Sequence, residues 1–124
     1  MHIINSFIKN DSGNIYCVMR DKNNNSALDR FINTLHFYFG NTLDSYINKR
    51  IFIIKGNITK ENFDMSKTNF ENIANNTSIV INAAANVKHY GNFDKFKNIN
   101  IDSTINVINY CKKYNKRLLH LSTL

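Results

Sequence analysis

The sequence predicts an α/β fold built on a doubly wound parallel sheet. Three observations carry that prediction. Short apolar runs alternate with amphipathic helical segments along the whole chain. The runs are continuous rather than alternating, as parallel strands buried on both faces are. Their regular alternation with helices implies right-handed βαβ crossovers. The length, 124 residues, suits one domain on a prior of about 100–200 residues.

Ile3, Ile4, Phe7 and Ile8 repeat at helical spacing and predict the last turns of a helix, ending near the turn cluster Asn10-Asp11-Ser12-Gly13-Asn14. Ile15-Tyr16-Cys17-Val18-Met19 is a run of strand formers, closed by Arg20-Asp21-Lys22. Ser26 is placed to cap a second helix. Its apolar stripe is Leu28, Phe31, Ile32, Leu35 and Phe39, and Gly40 stands where it should stop. Ile51-Phe52-Ile53-Ile54 is a second strand, cut by Gly56-Asn57, and a weaker helix runs from Ser66 through Phe70, Ile73 and Ala74. Ser78-Ile79-Val80-Ile81-Asn82 is a third strand, followed by three alanines. A helix over 98–114 would place Ile101, Ile105, Ile108 and Cys111 near one face, with Lys112, Lys113, Lys116 and Arg117 at its end, where cations suit the helix dipole. Leu118-Leu119-His120-Leu121 is the last strand.

Composition removes several classes. The hydrophobic fraction, 43%, is too high for a disordered chain. No apolar run approaches the roughly 18 residues that a membrane-spanning helix needs. The start has no basic segment followed by a long apolar core, so no signal peptide is expected. Cys17 and Cys111 form no CxxC pair, which argues against a zinc site or a disulfide framework and for a reducing, cytoplasmic setting. The net charge of +7 raises the question of nucleic acid. The cations are spread from Lys9 to Arg117 with no long run, and Asn, Ile and Lys are abundant throughout. That pattern is a composition bias rather than a binding face, and the run Asn23-Asn24-Asn25 belongs to it. No nucleic-acid partner and no membrane are expected.

The informative residues lie at the carboxyl ends of the strands. Five segments, in order, resemble the extended short-chain dehydrogenase/reductases. They are Ile15 to Arg20 with a helix running to Gly40, Ile54-Lys55-Gly56-Asn57-Ile58, Ile81 to Val87, Asn100-Ile101-Asp102-Ser103-Thr104, and His120-Leu121-Ser122-Thr123. Within that family they look most like the thioester reductase domains of non-ribosomal peptide, polyketide and carboxylic acid reductase assemblies, with their male-sterility-like NAD(P)-binding domain. The resemblance implies a Rossmann-like sheet of strand order 3-2-1-4-5-6 that is truncated here. The family's first strand and glycine-rich GxxGxxG turn would precede Met1, and its Tyr-x-x-x-Lys would follow Leu124. Residues 1–124 would then be a partial NAD(P)-binding domain, an internal fragment inactive alone. Losing the first strand would leave two strand edges unpaired and folding marginal.

The resemblance also implies site residues. Arg20 would face the adenosine ribose, where a guanidinium pairs with the 2′-phosphate of NADP(H) and an acidic residue would bind the 2′-hydroxyl of NAD. Arg30, ten positions on, would be a second arginine, and Lys22 a third cation. Asn57 and Ile58 would hold the adenine, although Asn57 stands where the family usually has Asp. Asn82, Ala83 and Ala84 would let the cofactor approach a strand end, with the Asn82 side chain tying adjacent strand ends. Asn100 would help position the active site, next to a Ser103 that replaces the family's glycine. Thr123 would be catalytic, bonding the substrate carbonyl oxygen. Read alone, each has a plainer account: a solvated arginine, a strand-ending turn, small residues packed at a strand end, a capping hydroxyl. His89 is unassigned, and His120, on an alternating strand, reads as packed.

The function implied is part of an NADP(H)-dependent reductase that releases a thioester-bound acyl or peptidyl chain from a carrier protein as aldehyde or alcohol. Two alternatives stand beside it. One is a small basic α/β binding module, for which nucleic acid would be the ligand. The other is a fragment of another extended-family enzyme, such as a fatty acyl-CoA reductase or a sugar-nucleotide epimerase.

Overall fold

The computed structural model describes residues 1–83 and 98–121. Eight regular elements alternate in it: α1 (His2–Asn10), β1 (Ile15–Met19), α2 (Ala27–Phe39), β2 (Ile51–Lys55), α3 (Lys67–Asn76), β3 (Ile79–Asn82), α4 (Ser103–Tyr114) and β4 (Arg117–His120). They form two compact units, Met1–Gly56 and Asn57–Leu124. Each unit contains one parallel strand pair, β1 with β2 and β3 with β4. Among the described residues, β1 and β3 each have a single strand partner. These are the two pairings that the order 3-2-1-4-5-6 leaves when its first strand is taken out.

In the first unit the pairing runs from Ile15 opposite Ile51 to Met19 opposite Lys55. Ile8, Phe31, Leu35, Leu43 and Ile51 are buried, and Ile15, Cys17, Met19 and Ile53 pack against them from one face of the strands. The α2 stripe is as expected except at Leu28, which is exposed. Ser26 caps α2 by accepting the Asp29 N–H (3.1 Å), and Gly40 ends it with φ +59°. Arg50 closes the unit. Its guanidinium donates to the carbonyls of Gly13 (3.0 Å), Ile8 (3.1 Å) and Asp11 (2.6 Å) and lies over the Tyr46 ring. One cation thereby satisfies the end of α1 and the loop into β1. Burial pushes the Cys17 thiol up to about 11.

In the second unit Phe63, Phe70 and Tyr110 meet at ring-centroid distances of 5.2–5.4 Å, and Tyr114 joins them. Burial at that cluster also raises the Tyr110 hydroxyl. Asn62, Phe63 and Asp64 all take positive φ, 51–57°, in a tight turn that drops the Phe63 ring into the cluster. The Asn57 N–H, donating to the Phe63 carbonyl (2.8 Å), secures that turn. Ser66 caps α3 as predicted, accepting from Asn69 N–H (3.2 Å).

Two expectations change here. The buried face of α4 carries Val107, Tyr110 and Cys111, whereas Ile101 and Ile105 are exposed. The aromatic cluster captures Tyr110, and that fixes the rotation of the helix away from the isoleucine stripe. The turn before it, Asn98–Asp102, is π-helical rather than part of a regular α-helix. The strands of this unit are also not buried on both faces. Val80 and Leu118 pack on the core, while Ile79, Ile81 and Leu119 are 50%, 44% and 55% exposed. The core that α3 and α4 supply lies against one side only. No helix among the described residues is long and apolar enough to cross a membrane.

Two separate cores predict separate stabilities. Arg50→Ala is expected to remove about 2–4 kcal/mol from the first unit by stripping three charge-assisted bonds. In hydrogen-exchange mass spectrometry, amides of β1 and β2 should lose protection while those of α3 and α4 keep theirs. Equal loss in both units would contradict this. A second expectation concerns pH. Because the unfolded thiol ionises before the buried Cys17 thiol does, alkaline pH favours the unfolded state. Stability should therefore fall as pH rises from about 9 to about 11. Cys17→Ala should make that part of the urea-midpoint profile less steep, the raised Cys111 thiol and Tyr110 hydroxyl supplying the rest, and a variant profile as steep as wild type would contradict the assignment.

Candidate functional site

The site residues of the first unit lie where β1 and β2 end. Arg20 follows Met19 directly and is exposed, and the loop after it makes a tight turn. Lys22 and Asn25 exchange backbone hydrogen bonds (3.0 and 2.9 Å) around Asn23 and Asn24, both at positive φ. Asparagine tolerates that conformation, so the Asn run has a conformational use beyond composition bias. Arg30 sits in the first turns of α2, half-buried, and its guanidinium donates to the carbonyl of Arg20. The fold thus brings the Arg30 side chain to the backbone of Arg20.

Two further residues belong to this tip. Asp21 accepts the Ala27 N–H on Oδ1 (2.8 Å), holding the start of α2, and pairs through Oδ2 with Lys55 Nζ (2.6 Å). Lys55 is the last residue of β2 and the register partner of Met19. The Lys55 ammonium and the Ala27 N–H hold the Asp21 carboxyl below the usual carboxylate range. The tip therefore sets Lys55 and Arg30 near one carboxylate that is already engaged, with the exposed Arg20 one residue before it in the chain. That donor set fits a phosphate: guanidinium groups bind its oxygens in pairs, and the net local charge is positive. Sequence reading missed Lys55, and an Arg-Asp pair ending one strand with a Lys ending the next was the signal that could have found it.

In the second unit Asn82 ends β3 and is buried. Its Nδ2 donates to Nδ1 of His120 (3.2 Å), the residue opposite it in β4, and its carbonyl accepts from Leu121 N–H (3.0 Å). Asn82 thus ties the two strand ends, and His120 is exposed rather than packed. Ala83 follows, exposed. Asn57 is half-buried, with Oδ1 accepting from the N–H (3.1 Å) and hydroxyl (2.6 Å) of Thr59 in an Asx turn. Ile58 packs against the aromatic core, and its carbonyl accepts from Asn106 of α4 (2.8 Å). Asn100 lies in the π-helical turn, and its carbonyl accepts the Thr104 hydroxyl (2.6 Å). Ser103, where the resembling family has glycine, is 1% exposed, so that position is one of close packing. Ala84, His89 and Thr123 lie outside the described residues. Among the described residues no group of His, Cys, Asp or Glu could hold a metal ion.

The whole chain, residues 1–124, matches the sequence profile of the Male sterility protein family of NAD-binding domains. The chain belongs to that family. A male sterility domain of this kind has its relatives among large biosynthetic enzymes. The chain is 30% identical over 98 residues to "Probable polyketide synthase 14" of Dictyostelium discoideum, covering 76% of this chain and 3% of that protein. It is 26% identical over 116 residues to a nonribosomal peptide synthetase of Aspergillus flavus, covering 91% of this chain and 11% of the other. Among solved structures, a thiolation-reductase di-domain from an archaeal non-ribosomal peptide synthetase superposes with a TM-score of 0.81 at 31% identity, over 98% of this chain and 25% of that one. The chain thus spans a quarter or less of each of these proteins. Its parallel strand pairs and helices have the Rossmann-like arrangement of a reductase domain, and the family ties it to a nicotinamide cofactor.

The Asp21 pair carries a pH dependence of definite sign. Its carboxyl is lowered, so its contribution is present above the ordinary Asp range and lost as pH falls through the lowered value. An NMR titration of Asp21 should show a midpoint below that range. Lys55→Gln should raise the midpoint, and a variant with an unmoved midpoint would contradict the pairing.

Proposed function

We propose that this chain forms the adenosine side of the NADP(H) site in a thioester reductase. The parent enzyme would release a carrier-bound acyl or peptidyl chain as an aldehyde or alcohol, in a cytoplasmic setting. The observation that carries the proposal is the Arg30 guanidinium held on the Arg20 carbonyl, which joins two arginines at the end of a parallel strand. Family membership and the likeness to a thiolation-reductase di-domain support the reductase reading and a thiolation domain as the partner.

Each residue then has a stated task. Arg20 and Arg30 would hold the 2′-phosphate, with Lys22 as an outer cation. Asn57 and Ile58 would border the adenine; Asn57 has its Oδ1 committed to Thr59, so it offers the ring its amide N–H₂. Asn82 with Ala83 and Ala84 would form a strand end that the cofactor approaches closely, kept in register by the bond to His120. Asn100 would fix the backbone ahead of α4. Thr123 would donate to the substrate carbonyl oxygen and stabilise the charge that develops there. The nicotinamide, when bound, supplies the hydride. The proton donor is not among these groups: residues 1–124 contain no Tyr-x-x-x-Lys and no GxxGxxG. The isolated chain should accordingly turn over no thioester.

The proposal is tested by grafting. Residues 1–124, put in place of the matching quarter of the archaeal di-domain, should give a folded protein that keeps reductase activity. Arg20→Ala in that graft should raise the KM for NADPH roughly tenfold or more with little change for NADH. A folded graft whose Arg20→Ala variant treats both cofactors as before would contradict the assignment.

A further inference from the structure

A carboxylate at the end of this strand is the group that would accept a ribose 2′-hydroxyl. Asp21 is such a carboxylate, one residue beyond Arg20, and on its own it would favour a cofactor without the phosphate. Its surroundings answer that. Oδ1 is taken by the Ala27 N–H at 2.8 Å and Oδ2 by Lys55 Nζ at 2.6 Å. The β1–β2 register places Lys55 beside Met19, so the ammonium reaches Asp21 from the neighbouring strand rather than from the same loop. Arg30 approaches the same carboxylate from α2 while bonding the Arg20 carbonyl.

We propose that Lys55 is a specificity-determining residue: by engaging Asp21 it withholds the strand-tip carboxylate from a ribose 2′-hydroxyl, and its charge joins Arg20 and Arg30 in selecting a 2′-phosphate. This rests on reading the tip as the adenosine 2′ end of the cofactor site. The Lys55 side chain is 74% exposed, and an exposed pair of this kind contributes little to stability. Its effect is therefore on which ligand the tip accepts. Freed of Lys55, Asp21 has one oxygen open toward a hydroxyl donor while Ala27 keeps the other, so the carboxylate stays in place.

The test is calorimetric binding of 2′,5′-ADP and of ADP to the chain, its Lys55→Gln and Asp21→Asn variants, and the double variant. Circular dichroism confirms the fold of each. Wild type should prefer 2′,5′-ADP. Lys55→Gln should weaken 2′,5′-ADP about tenfold and tighten ADP several-fold. Asp21→Asn, which retains an acceptor for Ala27, should keep the wild-type preference. The double variant should lose the gain for ADP, because no carboxylate remains to be released. If Lys55→Gln weakens 2′,5′-ADP but leaves ADP unchanged, Lys55 acts as charge alone and the proposal is overturned. If wild type binds the two ligands equally, or neither, the 2′-phosphate reading itself fails, and this inference with it.

Discussion

The parallel pairing of β1 with β2 is the constraint on which the basic tip depends. Its register sets Met19 beside Lys55, so the residues just past both strands share one rim. Neither strand could hold that register alone: a two-stranded parallel ladder needs a packed face. Phe31, Leu35 and Ile51 supply it, and Arg50 ties the chain entering β1 to the residue before β2. A slip of β2 by one residue would turn Ile53 away from the core and carry Lys55 away from Asp21. Packing, strand register and the charge constellation are thus one arrangement.

The second unit uses the same logic with different parts. Its core is aromatic, and the left-handed turn at Phe63 costs backbone energy that burial of the ring offsets. The strand ends are joined by a side chain, Asn82 to His120, in addition to the ladder. A buried amide at such a position must be bonded, and the neighbouring strand gives it the partner. Ile79, Ile81 and Leu119 leave one side of the β3–β4 pair open, so among the described residues this pair is covered on one face only.

Much of this was legible in the sequence. Each strand and helix followed from apolar spacing, and Ser26, Gly40 and Ser66 marked helix ends because capping is local chemistry. The strand-end positions of Arg20, Asn57 and Asn82 followed from the same runs. What escaped depends on residues far apart in the chain. The rotation of α4 is decided by Phe63 and Phe70, which spacing within the helix cannot show. Arg50 looked like one cation among many until its three carbonyls were in place. Lys55 and Asp21 become partners only through the ladder. The Asn23-Asn24-Asn25 run reads as bias in the sequence because composition is blind to backbone sign, and Asn23 and Asn24 take positive φ. The roles of Ala84 and Thr123 rest on the family resemblance alone.

Where a 2′-phosphate touches this chain is the decisive question. Backbone amide spectra of the isotopically labelled protein, recorded as 2′,5′-ADP is added below its melting range, measure that residue by residue. The amides of Arg20, Asp21, Lys22, Arg30 and Lys55 should move together with one saturation curve. Shifts confined to the aromatic core and α4, or a spectrum that adenosine without the 2′-phosphate changes in the same way, would contradict it.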